Sequence, residues 1–213
     1  CPVRGYETDA AALEVARAQV DGEVLGDDFV SAQGRGDVAL IVGNPPYVRR
    51  LGAKRDLYVD FVERAAAHLR PGGRLALVLS NAWMDTGYGE AIRSALLRDY
   101  SIEWIVESGG ETWFPGAKVR TVVLVARLGR SAGRVRFGSV GDLAGDVEVL
   151  RSVRQQDMRA DEAWGPYLRA PELWFNLREG MQPLGELADI RRGFTTNDNR
   201  FFYPPPDSGI EER

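Results

Sequence analysis

An α/β fold, with a parallel-type sheet covered on both faces, is what this sequence predicts, and three observations carry the expectation. Short apolar runs of strand length, rich in β-branched residues, recur from the N-terminus to residue 126. Between several of them lie amphipathic stretches with helical spacing. Strands that alternate with helices build parallel-type sheets, because the helix supplies the crossover. The 213 residues suffice for one full domain and a piece of a second.

Taken in order, Val3–Glu7 reads as a strand that ends on an acid. Asp9–Val20 has helical period, with Leu13, Val15, Ala16 and Val20 available for a buried face. Glu23–Gly26 is a short strand leading into Asp27-Asp28-Phe29, and Val38–Val42 a strand leading into Asn44-Pro45-Pro46-Tyr47. Asp56–Leu69 is an amphipathic helix stopped by Pro71-Gly72-Gly73. Arg74–Leu79, the helix Tyr88–Arg98, and the strands Ser101–Val106 and Arg120–Ala126 complete the first unit, placed at residues 1–130. After Gly129 helical periodicity fades, and 131–181 reads as a connector with small β elements at Val135–Val140 and Val147–Leu150. A further unit is expected to begin at Gln182 and to occupy 182–213.

Composition narrows the chemistry. The net charge of −4 and isoelectric point near 5.2 give no global polyanion-binding signature, so any such contact must be local. The single Cys1 excludes an intramolecular disulfide framework and a cysteine-based zinc site. The single His68 excludes a multi-histidine metal site, and its place before Pro71-Gly72-Gly73 makes it a helix C-terminal residue. No metal is expected. No apolar run approaches membrane-spanning length and no signal peptide is visible, so a cytoplasmic location and no membrane contact are expected. The chain lacks an initiator Met and reads as part of a longer protein.

Residues 44–47 carry the strongest chemical signal. An amine whose lone pair is delocalised, on an aromatic ring or in an amide, is a poor nucleophile. Methylating it requires both N–H bonds to be held so that the lone pair faces the methyl donor. Two acceptors serve: the Asn44 side-chain oxygen and a rigid backbone carbonyl such as that of Pro45. The two prolines fix φ, remove competing donors and extend Asn44. Tyr47 offers a flat face for a planar substrate. The plain alternative is a Pro-Pro turn with Tyr47 capping the core.

Ligands of open α/β sheets bind at the carboxyl ends of strands. Glu7 ends the first strand, where an acid can accept bonds from ribose hydroxyls. Asp28 follows the second and suits the amine of an adenine ring, with Phe29 alongside. Two nucleoside-type contacts beside an amine-holding turn describe S-adenosylmethionine next to its acceptor.

These residues resemble the catalytic region of the N6-adenine-specific DNA methyltransferases of restriction-modification systems. Gly5-Tyr-Glu7-Thr-Asp9 resembles the ribose-binding element of that family, Asp28-Phe29 the adenine-holding element and Asn44–Tyr47 the catalytic motif. Leu69-Arg-Pro71-Gly72-Gly73-Arg-Leu75 resembles the turn that follows. Trp113-Phe114-Pro115-Gly116-Ala117-Lys118-Val119 resembles a later segment whose aromatic residue packs on a flipped base, which implies a stack of Tyr47 and Phe114 around that base. The resemblance implies a Rossmann-like S-adenosylmethionine-dependent methyltransferase sheet in residues 1–130, with S-adenosylmethionine as cofactor and double-stranded DNA as partner. A nuclease domain or subunit is a further partner it allows. It also implies that 182–213 opens a target-recognition domain. The family's glycine-rich cofactor loop and the central strand before it have no counterpart here, which leaves a gap between the strand ending at Glu7 and the one ending at Asn44. Candidate DNA contacts are Arg49, Arg50, Lys54, Lys118, Arg191, Arg192 and Thr196. Two other readings stay open: methylation of a release-factor glutamine or a ribosomal RNA base, and a specificity subunit that keeps the fold without the chemistry.

Overall fold

The computed structural model describes residues 3–47, 57–109, 120–130, 133–141, 145–178, 180–182 and 184–190. Its contacts divide the chain at residue 170 into two compact units.

The first unit contains two sheets. The smaller pairs β1 (Val3–Tyr6) with β2 (Gly22–Leu25) in parallel, joined by α1 (Ala10–Gln19). Asp9 caps α1 by accepting the Ala12 N–H at 2.8 Å, which satisfies one of the amides left open at a helix start. The larger sheet has six strands in the order β3-β4-β6-β5-β7-β8. These are β3 (Val38–Gly43), β4 (Leu69–Ser80), β5 (Tyr100–Ser108), β6 (Thr121–Leu128), β7 (Arg134–Val140) and β8 (Glu148–Arg154). Helix α2 (Leu57–His68) links β3 to β4, and α3 (Glu90–Asp99) links β4 to β5. Gly72, at φ +73°, lies within β4 where its register with β3 shifts between Leu69 and Arg74, a position at which a side chain would be strained.

The core lies under one face of this sheet. Leu77, Leu124, Ile105 and Phe137 form a row across β4, β6, β5 and β7, and each is at most 3% exposed. Tyr58, Val59, Val62 and Ala65 of α2 and Ile92, Ala95 and Leu96 of α3 close over that face. Tyr100 donates its hydroxyl to the Val62 carbonyl at 2.7 Å, joining sheet to helix. The short helix α4 (Pro166–Arg169) packs on the same face, with Tyr167 against Phe137 at 4.9 Å between ring centroids. Buried Arg93 binds the carbonyls of Trp83, Thr86 and Ala160, so the chain after β8 is tied to the helical layer.

Several sequence expectations are corrected here. The sheet is mixed: β6 runs antiparallel to β4 and β5, and β8 antiparallel to β7. Only one face is fully buried, since Ala76, Val78, Val123 and Val125 on the reverse face are half-exposed. Helix α1 buries none of its residues, and Val15 is 56% exposed, because it packs mainly on β2 and not on a broad sheet. The stretch read as a connector contributes β7 and β8, which lengthen the main sheet.

The second unit, Pro171–Arg213, contains α5 (Glu172–Arg178) and α6 (Leu184–Leu187) among its described residues. Trp174 packs edge-on against Phe175, with the Arg178 guanidinium 5.2 Å from the Trp174 ring centre. No described helix is long and apolar enough to cross a membrane, and no described group of three or more His, Cys, Asp or Glu could hold a metal ion.

Candidate active site

Glu7 stands one residue beyond β1, its amide bonded to the Leu25 carbonyl at 3.0 Å, so the ladder with β2 fixes its position. Its Oε1 accepts the Asp9 N–H at 2.9 Å, which holds the carboxylate beside the start of α1. An ionised carboxylate can accept about four hydrogen bonds, so this contact leaves capacity for ribose hydroxyls. The chemistry of the position therefore fits the nucleoside part of S-adenosylmethionine.

Asp28 opens a tight turn after β2. Its Oδ1 accepts the Val30 N–H at 3.0 Å, and its carbonyl accepts the amides of Ser31 and Ala32. Phe29 has a different environment from the one expected beside a cofactor. Its ring stacks on Phe61 at 5.2 Å and 27° and on His68 at 4.8 Å and 26°, while Tyr6 meets it edge-on at 5.4 Å. Phe61 and His68 are seven residues apart on α2, a rise of about 10.5 Å, close to the sum of the two stacking distances. Phe29 is thus inserted between side chains two helical turns apart, and both its faces are engaged within the chain. The sequence signal for this clip is the Phe61–His68 spacing, which the strand-end argument did not use.

His68 is 2% exposed, and its Nε2 has no hydrogen-bond partner among the described residues. Burial holds its pKa below the ordinary imidazole value, outweighing a hydrogen bond with the Ala32 backbone that acts in the opposite direction. Arg4 joins this half to β3 through a two-pronged contact with Asp37, both N···O distances being 3.2 Å.

Asn44-Pro45-Pro46-Tyr47 follows β3 directly. Asn44 and Pro46 are exposed, Pro45 is buried and Tyr47 is half-buried. The Tyr47 hydroxyl donates to Asn44 Oδ1 at 2.7 Å. Burial raises the Tyr47 pKa, which keeps the phenol protonated and able to donate. Strand β3 has no partner on its outer side among the described residues, and Leu40 and Val42 are 54% and 70% exposed. The unpaired edge lies where a strand is expected between β1 and β3.

A second polar cluster, absent from the sequence reading, stands at the same carboxyl edge. Glu107, 7% exposed near the end of β5, accepts from Asn81 Nδ2 at 2.9 Å and from Arg169 at 3.2 and 3.3 Å. Arg169 also reaches Asp85 at 2.8 Å. The residues that bracket 110–119 are fixed here too: Gly109 donates to the Val140 carbonyl, and the Arg120 carbonyl accepts from the Asn81 amide. Phe114, Lys118, Arg49, Arg50, Lys54, Arg191, Arg192 and Thr196 lie outside the described residues.

Comparison with solved structures shows that this fold is shared with a structure described as a class I S-adenosylmethionine-dependent methyltransferase. That structure, from Listeria monocytogenes, superposes with a TM-score of 0.58 at 16% identity, over 68% of this chain and 51% of the other. Residues 11–114 match the model of the Eco57I restriction-modification methylase family. It is 30% identical over 140 residues to the type II methyltransferase M.XhoI of Xanthomonas vasicola, covering 49% of this chain and 26% of the relative. It is 25% identical over 146 residues to M.PaeR7I of Pseudomonas aeruginosa, covering 60% and 25%. A ribosomal RNA small subunit methyltransferase C of Pseudomonas aeruginosa is 33% identical over 79 residues, covering 37% and 24%. The chain spans about a quarter of the length of the first two relatives.

Proposed function

We propose that this chain is the catalytic part of a DNA adenine methyltransferase of a restriction-modification or phage-defence system. The observation that carries the reading is the Asn44–Tyr47 segment at the carboxyl end of β3, in a chain whose preceding strands lead into Glu7 and Asp28. The restriction-modification methylase match over 11–114 supports duplex DNA as the substrate. S-adenosylmethionine, when bound, supplies an electrophilic methyl on its sulfonium. Glu7 holds the ribose of that cofactor and Asp28 the amine of its adenine. Phe29 contributes by shaping the turn that presents Asp28.

Asn44 Oδ1 and the Pro45 carbonyl accept the two N–H bonds of the target amine, which turns its lone pair toward the methyl group. The nitrogen lone pair would form the N–C bond as the methyl–sulfur bond breaks and its electron pair returns to sulfur, leaving S-adenosylhomocysteine, and the amine proton would then pass to water. Stabilisation of this kind acts on the transition state and therefore on turnover. Extruding the base costs a few kcal/mol in lost stacking and pairing. Stacking on Tyr47, and on Phe114 by the resemblance, returns about 1–3 kcal/mol per stacked base. Arg49, Arg50, Lys54 and Lys118 are proposed to contact the DNA flanking the extruded base. Arg191, Arg192 and Thr196 are proposed to contact DNA from the start of a recognition domain. A nuclease domain or subunit is the proposed partner.

One specific observation favours a second reading, the likeness to a ribosomal RNA methyltransferase over 79 residues. Product identity separates the two. The full-length protein is given tritiated S-adenosylmethionine with duplex DNA, with ribosomal RNA and with a translation release factor. Label in N6-methyladenine from DNA is expected. Label in RNA or in the release factor, with none in DNA of varied sequence, refutes the DNA reading.

A further inference from the structure

The bond from Tyr47 to Asn44 gives the site a resting state. On the reading above, on which this inference rests, Asn44 Oδ1 accepts an amine N–H of the substrate while the base lies on the Tyr47 ring. Those two uses are incompatible with the observed contact. A phenolic O–H lies near the plane of its ring, so its acceptor lies near that plane as well. An aryl amine holds its N–H bonds in the plane of the base, so its acceptor lies near the base plane. Stacked rings are separated by about 3.5 Å, the contact distance of carbon atoms, which exceeds an N–H···O distance of about 2.9 Å. One oxygen cannot lie near both planes.

We propose that the Tyr47 hydroxyl is a self-cap, which occupies the Asn44 oxygen in the substrate-free enzyme and must be displaced by the amine of an incoming base. Pro45 and Pro46 fix the backbone between the two side chains, so the contact spans a rigid link. The cap also discriminates. A base that brings an amine exchanges one hydrogen bond for another and adds stacking. A base that presents a carbonyl there breaks the Tyr47–Asn44 bond and sets two acceptors against each other.

Two measurements on the full-length protein test the cap. In the first, Tyr47 is O-acetylated with N-acetylimidazole, without DNA, and modification is followed by peptide mass spectrometry. Asn44→Ala frees the hydroxyl and is expected to speed acetylation several-fold; an unchanged rate overturns the cap. In the second, methyl transfer to unmethylated phage DNA is compared between the wild type and Tyr47→Phe. Loss of a neutral hydrogen bond corresponds to about a two- to twelvefold change. Tyr47→Phe is therefore expected to lower KM by that factor with kcat undiminished. An unchanged or raised KM, or a fallen kcat, overturns the proposal. Faster acetylation in Asn44→Ala with no wild-type label in DNA leaves the cap standing and removes the DNA reading. Label in DNA with an unaltered KM in Tyr47→Phe does the reverse.

Discussion

The β1–α1–β2 half and the six-stranded half of the first unit differ in how they hold themselves together. In the larger half, Leu77, Leu124, Ile105 and Phe137 run as one buried row beneath two helices. In the smaller, Val24 is the buried strand residue and α1 buries nothing. Among its ties to the rest are the Phe29 clip, the Arg4–Asp37 pair and Arg64 of α2, which donates to the Val30 carbonyl at 2.7 Å. The division of labour follows the same line. Glu7 and Asp28 stand on the lightly packed half, and Asn44–Tyr47, proposed to hold the amine, on the edge of the well-packed one. On the proposed reading, the turn that would hold the amine is thereby set on the sheet with the larger core, and the residues proposed for the cofactor on the half with the smaller one.

The sharpest test of that division is Asn44→Ala. If the turn acts only on the transition state, methyl transfer is abolished while S-adenosylmethionine affinity stays within a few-fold, by calorimetry on the full-length protein. Parallel loss of both would make the turn a structural element shared by the two halves. Next in size is the packing contrast. Ile105→Ala removes a fully buried side chain and is expected to cost about 2–5 kcal/mol. Val15→Ala, on the exposed face of α1, is expected to stay within about 0.5 kcal/mol. Hydrogen exchange of the β4–β6 peptides and of the α1 peptide reads each effect where it arises. Equal effects at the two positions would mean that α1 is covered in the full-length protein.

How much of this the sequence disclosed depends on whether the signal was local. Strands β3, β4 and β6 are legible because each contains a continuous apolar run, and α2 and α3 because their buried residues repeat with helical period. The direction of β6 was not. The segment joining Ser108 to Thr121 is long enough for either sense, and pairing with β4 is a non-local choice. Membership of β7 and β8 in the main sheet was hidden for the same reason. Helix α1 had legible periodicity, but a period cannot say whether a sheet lies beneath it. At the site, Glu7, Asp28 and Asn44–Tyr47 were read from their places at strand ends, whose geometry is local. The Phe29 clip required knowing that a loop after β2 meets α2, and the Glu107–Asn81–Arg169 cluster unites residues from three distant stretches.

Glu7→Ala probes the smaller half in the opposite direction from Asn44→Ala. Loss of a charge-assisted hydrogen bond to a ribose is expected to weaken S-adenosylmethionine binding by about 1.5–3 kcal/mol. An unaltered affinity by calorimetry would remove Glu7 from the cofactor site and leave it as the partner of the Asp9 amide alone.

The smallest expected effect lies where the halves meet. His68 belongs to α2 and stacks on Phe29, with Tyr6 at 5.6 Å on its edge. Burial lowers its pKa in the folded protein. Between that lowered value and about 6.5, the unfolded-state value, the unfolded chain binds the additional proton. The contribution of His68 is therefore complete above about pH 6.5 and is lost as the pH falls below it. The slope is limited to one proton, about 1.4 kcal/mol per pH unit. His68→Phe keeps an aromatic ring between Phe29 and the helix and removes the titration. Exchange protection of the Phe29 loop is expected to fall between pH 7.5 and 5.5 in the wild type and to change less in His68→Phe, with the β4–β6 peptides alike in both. A drop of the same size in the variant would show that the acid sensitivity of this junction arises from another group, and that the stack holds the halves together whatever the charge on His68.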